Sequence, residues 1–319
     1  MVAPGKGLKV EAADTSGPMH LDHAGEDRLV TFFSALFERM SGDELGDFVK
    51  WLDEMDRTIR IGTVCSGTDS PVLVLRAMKR TLERMGVDIT VSHAYSCEAS
   101  KWKRQFIARM FPELDSLFMN VHHLVSSDGK APNHLHPRQH PNGTVTFDRT
   151  SIPRLIDFLV AGFPCVDFST LNPNHTSNSS AISDGSGRSG GVFAAIVEMV
   201  RLHQIKFMLL ENVVNMAKRS RCKMTGQWKE PNSFALQRIL ATRCDMLTII
   251  FALQPHRLGT PQSRGRLWMI CIHRSVLRQH GWTDLKARKY CISLRHVLLC
   301  ILLSSPLRHV TGGTQPNLA

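Results

Sequence analysis

The chain has 319 residues, 43% of them hydrophobic and 21% charged, so it can bury a sizeable core in one large domain or two smaller ones. Lysine and arginine number 39 against 28 aspartates and glutamates, and this excess favours an anionic partner, most commonly nucleic acid. There is no CxxC spacing, no signal peptide and no apolar run of the roughly 20 residues that a membrane-spanning helix needs. We therefore expect an intracellular protein without a membrane segment.

The first 57 residues are expected to form a tail followed by a pair of helices. Residues 1 to about 27 are small, polar and charged, which favours disorder. From Arg28 to Met55 apolar side chains recur at helical spacing, with a break at 41–43 that can end one helix and cap the next. We expect the phenylalanine-rich stripe of this pair to pack on the main domain.

From residue 58 onward, short apolar runs alternate with helical patterns. The predicted strands cover 59–64, 89–95, 157–161, 207–210, 246–252 and 267–272, and the predicted helices cover 71–85, 101–110, 192–200 and 234–241. This alternation predicts an α/β fold with a doubly wound, mainly parallel sheet over residues 58–275. Polar stretches at 126–150 and 172–191 are predicted to be loops, and 276–319 is expected to be an irregular C-terminal tail.

Chemically useful side chains follow the first two predicted strands, at the sheet edge where open α/β sheets bind ligands. The first strand leads into the loop 65–70, which contains Gly67, and the second strand ends at Glu98. A glycine-containing turn with a carboxylate on the next strand is the arrangement that binds adenosine, with the carboxylate on the ribose diol. The loop is not GxGxxG, so a dinucleotide is poorly supported. Taken alone, Glu98 is equally well explained as a solvated carboxylate.

Cys165 follows the strand 157–161 at a turn shaped by Gly162 and Pro164. The polar stretch after this turn is expected to act as a lid. From this segment alone, a nucleophile and a buried structural cysteine are equal alternatives.

Two further motifs lie beside apolar strands. Glu211 follows the strand 207–210 and can be a proton donor or a helix cap. Arg264 and Arg266 precede the strand 267–272 and, two residues apart, point to the same face, which suits a phosphate, a carboxylate or a base carbonyl. The alternative for this pair is a solvated sheet edge. Three histidines at 134, 136 and 140 lack a nearby cysteine or carboxylate, so a solvated loop is favoured over a metal site there.

Taken together, these motifs resemble the DNA (cytosine-5) methyltransferase family over about residues 58–275. GFPCVDFS at 162–169 is similar to the family's nucleophile motif, LLENV at 209–213 to its Glu-Asn-Val motif, and PQSRGR at 261–266 to its Gln-x-Arg-x-Arg motif, in the family's order. The resemblance implies a Rossmann-like fold of the S-adenosylmethionine-dependent methyltransferase type. It also implies methyl transfer to carbon 5 of cytosine in DNA through a covalent cysteine adduct, and a nuclear location in a eukaryote.

The resemblance assigns a role to each candidate residue. Cys165 would be the nucleophile, Glu211 would hold the N3 edge of the base and supply a proton, and Arg264 and Arg266 would contact the base carbonyl. The residues implied to bind S-adenosylmethionine are Cys65, Ser66, Gly67, Thr68, Glu98 on the ribose, Asn120 near the adenine amine, and Pro164. The target base would leave the duplex to reach Cys165.

The chain departs from the family pattern in the cofactor loop, at Asn120 where an acidic residue is expected, at Val166 where a polar residue often follows the nucleophile, and at its C-terminal end. In the cofactor loop, where the family usually has Phe-x-Gly-x-Gly, Asp69 stands in place of the second glycine. After about residue 298 we find no target recognition region and neither of the family's final motifs, so we expect a truncated C-terminus. The same chemistry on tRNA, and a catalytically inactive nucleic-acid-binding fragment, remain as alternatives. The sequence does not indicate the target site or the oligomeric state.

Overall fold

The computed structural model describes residues 23–114, 116–125, 136–139, 145–148, 156–169, 172, 180–221, 226–254, 265–289 and 291. The helices are α1 (His23–Phe37), α2 (Gly42–Glu54), α3 (Ser70–Arg84), α4 (Lys101–Met110), α5 (Ala181–Asp184), α6 (Gly187–His203), α7 (Asn232–Cys244) and α8 (Arg274–Gln279). The strands are β1 (Thr58–Val64), β2 (Thr90–Cys97), β3 (Leu117–Phe118), β4 (His136–Gln139), β5 (Val145–Asp148), β6 (Phe158–Ala161), β7 (Phe207–Val213), β8 (Ser220–Arg221), β9 (Trp228–Lys229), β10 (Met246–Leu253) and β11 (Arg266–His273).

Seven of the strands form one sheet in the order β10-β11-β7-β6-β1-β2-β3. Neighbours from β3 to β7 are parallel, whereas β11 is antiparallel to both β7 and β10. Helices cover both faces: α3 and α4 bury side chains on one face, and α6 and α7 bury theirs on the other. The predicted Rossmann-like, doubly wound, mainly parallel α/β fold is confirmed.

The crossover helices change face between β1 and β6, which are neighbours near the middle of the sheet. The helix after β1, α3, packs on one face, and the helix after β6, α6, packs on the other. Such a reversal opens a crevice at the carboxyl ends of the two strands, because the loops that follow them diverge. The loops 65–69 and 162–169 begin at this crevice.

The N-terminal helices share an apolar core with α3, β1 and β2. Ser41 caps α2 through a reciprocal capping box with Glu44. A ladder of stacked rings runs from Phe37 through Phe48 to Trp51, whose indole meets Phe207 of β7 edge-on at 5.8 Å. Helix α1 begins at residue 23, five residues earlier than predicted, and residues 1–22 lie outside the described part of the chain.

Three segments differ from the polar loops or tail predicted for them. Within 126–150, β4 and β5 pair as an antiparallel hairpin. Residues 181–191 form α5 and the first turns of α6. After residue 275, α8 and a helical stretch at 284–289 bury apolar side chains against β10 and β11, while 292–319 lie outside the description. None of the described helices is long and apolar enough to span a bilayer.

Candidate active site

The nucleophile turn and the cofactor loop meet beside Glu211. The last residues of β1 and β6 are paired, Val64 with Ala161, so the two loops start side by side. A Cβ atom built on Gly162 would lie 3.4 Å from the Glu211 Oε2 atom and 3.9 Å from the Cys65 carbonyl oxygen. Three of the sequence motifs therefore converge on the backbone of one glycine.

The Cys165 turn is a compact loop with its cysteine partly exposed. The backbone N–H groups of Phe168 and Ser169 donate to the Cys165 carbonyl oxygen at 3.0 Å and 2.9 Å. Phe163 and Phe168 are buried on either side of the turn and fix it to the core under α6. The thiol is thus held at the crevice by anchors before and after it.

Asp167, two residues after the cysteine, ties the turn to the N-terminus of α6. Its Oδ2 atom accepts the Ser189 backbone N–H at 2.6 Å, and its own N–H donates to Ser189 Oγ at 3.3 Å. Both residues are buried. A side chain on Gly187, at φ +66°, would lie 2.7 Å from the carboxylate, so only glycine allows this approach. The carboxylate takes the role of an N-cap from outside the helix.

Glu211 forms an ion pair with Arg266 at the catalytic edge. Arg266 Nε lies 2.5 Å from Glu211 Oε1, and both side chains are largely shielded from solvent. The antiparallel register makes this possible, because Glu211 is opposite Trp268, two residues from Arg266 on the same face. Glu211 lies inside β7 and not after its end, since the pairing with β11 continues to Val213. The other predicted arginine, Arg264, lies outside the described residues.

Asn212 joins β7 to the nucleophile turn by a side-chain hydrogen bond. It is 1% exposed, its Nδ2 atom donates to the Phe163 carbonyl oxygen at 3.2 Å, and its Oδ1 atom accepts the Val213 N–H at 2.9 Å. The side chain therefore satisfies a backbone carbonyl two residues before Cys165. Its place in the LLENV motif was visible in the sequence, but its partner was not.

The cofactor loop is tied to the end of β2 by Glu98. The two carboxylate oxygens accept the backbone N–H groups of Gly67 and Ser100, each at 2.8 Å. Arg104 of α4 donates to the carbonyl oxygens of Glu98 and Ala99, at 2.8 Å and 2.7 Å. Each carboxylate oxygen still has a lone pair, so Glu98 fits a ribose diol while it also shapes the loop.

The remaining predicted cofactor residues lie on the same sheet edge but differ in how freely each could contact a ligand. Burial, followed by the nearby Glu98 charge, raises the pKa of the Cys65 thiol to about 12, so this thiol stays neutral. Gly67, at φ +62°, has open space where a side chain would be, which suits close approach of a ligand to the backbone. Thr68 hydroxyl lies 3.2 Å from that of Ser70, and Asn120 is exposed with its Oδ1 atom accepting the His122 N–H at 3.0 Å.

Ser66 and Pro164 complete this set. The Ser66 hydroxyl lies under the loop and supports it through hydrogen bonds to Thr63 and to the Cys97 backbone. Pro164 is half-buried beside Cys165. No group of three histidine, cysteine or acidic side chains suited to a metal ion occurs among the described residues. The assigned roles of all these residues stay predictions.

The comparison with protein families decides where the chain belongs. The sequence model of the C-5 cytosine-specific DNA methylase family matches residues 132–294, just over half of the chain. The chain belongs to this family. The matched range contains the Cys165 turn, Glu211 and Arg266, whereas the loop 65–69, which also meets Gly162, lies before it.

The individual relatives are methyltransferases by name. The chain is 31% identical over 189 residues to the DNA (cytosine-5-)-methyltransferase DMT5 of Cryptococcus neoformans var. grubii, a match covering 58% of this chain and 7% of that protein. It is 28% identical over 138 residues to the type II methyltransferase M.HpaII of Haemophilus parainfluenzae, covering 43% of this chain and 34% of that protein. The chain therefore spans a small part of the first relative and about a third of the second.

Overlap of the chain with solved structures is low. The methyltransferase Dnmt2 of S. pombe superimposes with a TM-score of 0.39 at 14% sequence identity, covering 67% of this chain and 49% of that one.

Proposed function

We propose that the chain methylates carbon 5 of cytosine in DNA through a covalent adduct on Cys165, with S-adenosylmethionine as the methyl donor. The observation that supports this most directly is the meeting of Gly162, Cys65 and Glu211 at one point, with Arg266 paired to the glutamate. Family membership supports the same reaction. The net charge of +11 suits a polyanionic substrate.

In the proposed reaction, the Cys165 thiolate adds to carbon 6 of cytosine, and carbon 5 becomes nucleophilic. Glu211 holds the N3 edge and donates a proton as negative charge develops on the ring, while Arg266 fixes the glutamate carboxylate. S-adenosylmethionine, when bound, supplies the methyl group. The proton on carbon 5 then passes to water, Glu211 takes back the proton it gave to N3, the sulfur–carbon bond breaks, and the Cys165 thiolate is regenerated.

The residues that would hold the donor are the loop from Cys65 to Thr68 and Glu98. Glu98 keeps a lone pair on each oxygen for a ribose diol, and the backbone at Gly67 is open to a ligand. Asn120 is exposed at the end of β3 and is proposed to face the adenine. Glu98 and Gly67 act together here, because they are already hydrogen-bonded to each other.

Trapping with 5-fluorocytosine DNA tests the reaction. Fluorine at carbon 5 cannot leave as a proton does, so the adduct accumulates and is seen as a slower band on a denaturing gel. We expect the adduct with wild-type protein and S-adenosylmethionine, and none with Cys165→Ala. Cys291→Ala, which changes a buried cysteine packed against β10 and β11, is the matched control and should still react.

The same experiment separates the alternatives. An adduct with 5-fluorocytosine tRNA but not with DNA would support the RNA substrate instead. Binding of both DNA and S-adenosylmethionine without any adduct would support an inactive nucleic-acid-binding protein. Glu211→Gln should bind DNA as the wild type does but form the adduct more slowly, because the proton donor is lost.

A further inference from the structure

Asp69, the residue that departs from the family's glycine pattern, does not serve its own helix. It precedes α3 in a left-handed conformation, with φ at 54°, and its side chain makes no capping hydrogen bond. The carboxylate is completely buried. It points into a set of polar side chains between β1 and β2, directly beneath the cofactor loop.

Two hydroxyl groups bind this carboxylate at short distance; the Ser66 hydroxyl also acts on it and lowers its pKa, and His93 Nε2 lies 3.5 Å from Oδ2. Thr63 Oγ1 lies 2.6 Å from Asp69 Oδ1, and Ser96 Oγ is in close contact with Oδ2. Thr63 also lies 2.6 Å from the hydroxyl of Ser66 in the cofactor loop, and Ser96 lies 2.8 Å from His93 Nε2. These contacts form a continuous chain of hydrogen bonds from the loop to His93.

An ionised carboxylate fixes the direction of every bond in this chain, because it can only accept. Thr63 must then donate to Asp69 and accept from Ser66. Ser96 likewise donates to Asp69 and accepts from His93, which assigns the proton of that imidazole to Nε2. Ser66 accepts the backbone N–H of Cys97 at 3.1 Å.

We propose that Asp69 is a positioning residue for the cofactor loop, acting through a Thr63–Ser66 hydroxyl relay that reverses when Asp69 is protonated. A protonated Asp69 donates to Thr63, Thr63 then donates to Ser66, and Ser66 turns its proton to the Cys97 carbonyl oxygen. That oxygen is already 3.2 Å from Ser66 Oγ, so the reversal needs no movement of heavy atoms. Asp69 takes up one proton from solvent, and Thr63 and Ser66 each keep one hydroxyl proton, which only changes direction.

The relay is connected to the predicted cofactor residues by the peptide bond between Ser66 and Gly67. Ser66 precedes Gly67, whose N–H binds Glu98, the residue proposed to hold the ribose. Hydrogen bonds to an ionised carboxylate are stronger than those to a neutral one, so the loop is held more firmly when Asp69 is charged. This step rests on the proposed function, in which the loop binds S-adenosylmethionine.

Among Asp69 and the neighbouring groups His93, Cys65 and Cys97, Asp69 is the group that titrates near neutral pH. Burial, followed by hydrogen bonds that oppose it and by the charge of Glu98, raises the pKa of Asp69 to about 7. Burial and Arg76 of α3 lower the pKa of His93 to about 3, so that imidazole stays neutral. Burial raises the pKa of the thiols of Cys65 and Cys97, which also stay neutral.

Amide NMR of the full chain without any ligand tests the relay itself. We expect the backbone amide signals of Gly67 and Cys97 to titrate together with a midpoint near pH 7. In Thr63→Val, which removes the relay hydroxyl at equal size, Asp69 remains but the Gly67 signal should no longer move. Titration of Gly67 that persists in Thr63→Val, or no titration in the wild type, overturns the relay.

Calorimetric titration with S-adenosylmethionine at pH 6 and pH 8 tests its consequence. We expect roughly fivefold weaker binding at pH 6 for the wild type. Asp69→Asn, neutral at both pH values, should bind equally weakly at both. Asp88→Asn, an exposed acid before β2, is the control and should keep the wild-type pH dependence. If the wild type binds S-adenosylmethionine equally well at both pH values, the link between the relay and the cofactor is overturned. If it does not bind S-adenosylmethionine at either pH but the NMR titration is intact, the proposed methyl donor is contradicted and the relay is still supported.

Discussion

The bond between Asp167 and the start of α6 gives a quantitative prediction. Asp167→Ala removes the acceptor of the buried Ser189 N–H at 2.6 Å. An unsatisfied buried donor costs about 1–3 kcal/mol, and loss of a negative charge at a helix N-terminus adds about 0.3–2 kcal/mol. We therefore expect the free energy of unfolding to fall by about 2–4 kcal/mol, with slower formation of the Cys165 adduct because the turn loses one anchor.

Urea denaturation followed by far-UV circular dichroism measures the change from the midpoint and slope. Asp184→Ala is the matched control, because Asp184 also accepts a backbone N–H just before α6, from Ser186 at 2.8 Å, but is exposed. Its loss should cost about 1 kcal/mol or less. Equal losses in the two variants would refute the reasoning, since burial would then not determine the strength of the cap.

Two other predictions concern glycines and pH. Gly62→Ala should destabilise the fold by about 1–3 kcal/mol, because the new Cβ would lie 2.6 Å from the Tyr95 ring. Gly46→Ala, in open space on α2, should stabilise it by about 0.5–1 kcal/mol. Thermal and urea unfolding should show changes in stability of opposite sign for the two variants. Between about pH 4 and 6.5, the folded chain holds an extra proton on Asp69 and lacks one on His93, and the two effects on stability cancel. Asp69→Asn leaves only the effect of His93. The free energy of unfolding of this variant should therefore rise with pH, by up to about 1.4 kcal/mol per pH unit more than that of the wild type. Urea unfolding at pH 5 and pH 6 measures the difference.

Much of the fold could be predicted because local patterns carry it. The apolar runs that became β1, β2, β6, β7, β10 and β11 are short and bounded by polar residues, and the helices between them repeat apolar residues at helical spacing. Since parallel strands end at one edge, residues following them could be expected to meet, and Cys65 and the Cys165 turn do.

The supporting contacts could not be predicted, because they join residues distant in sequence. Asp167 reaches a helix 22 residues away, and Asn212 reaches a carbonyl 49 residues away. Local periodicity contains no signal for either pair. The inward direction of the Ser66 hydroxyl, toward Thr63 above the buried Asp69 carboxylate, could not be predicted either. The hairpin of β4 and β5 was hidden by a composition rich in proline, histidine and asparagine.

The reversed direction of β11 has a consequence for how this edge can vary. Every other strand of the sheet ends at the edge that carries the Cys165 turn. Strand β11 runs the opposite way, so it begins at that edge, and its first residue is Arg266. The connection from β10 to β11 therefore both leaves and returns at that edge. A connection anchored in this way can lengthen at small entropic cost without shifting the register of the sheet. New chain inserted there would arise next to Arg266 and its ion pair with Glu211, while the scaffold stays unchanged.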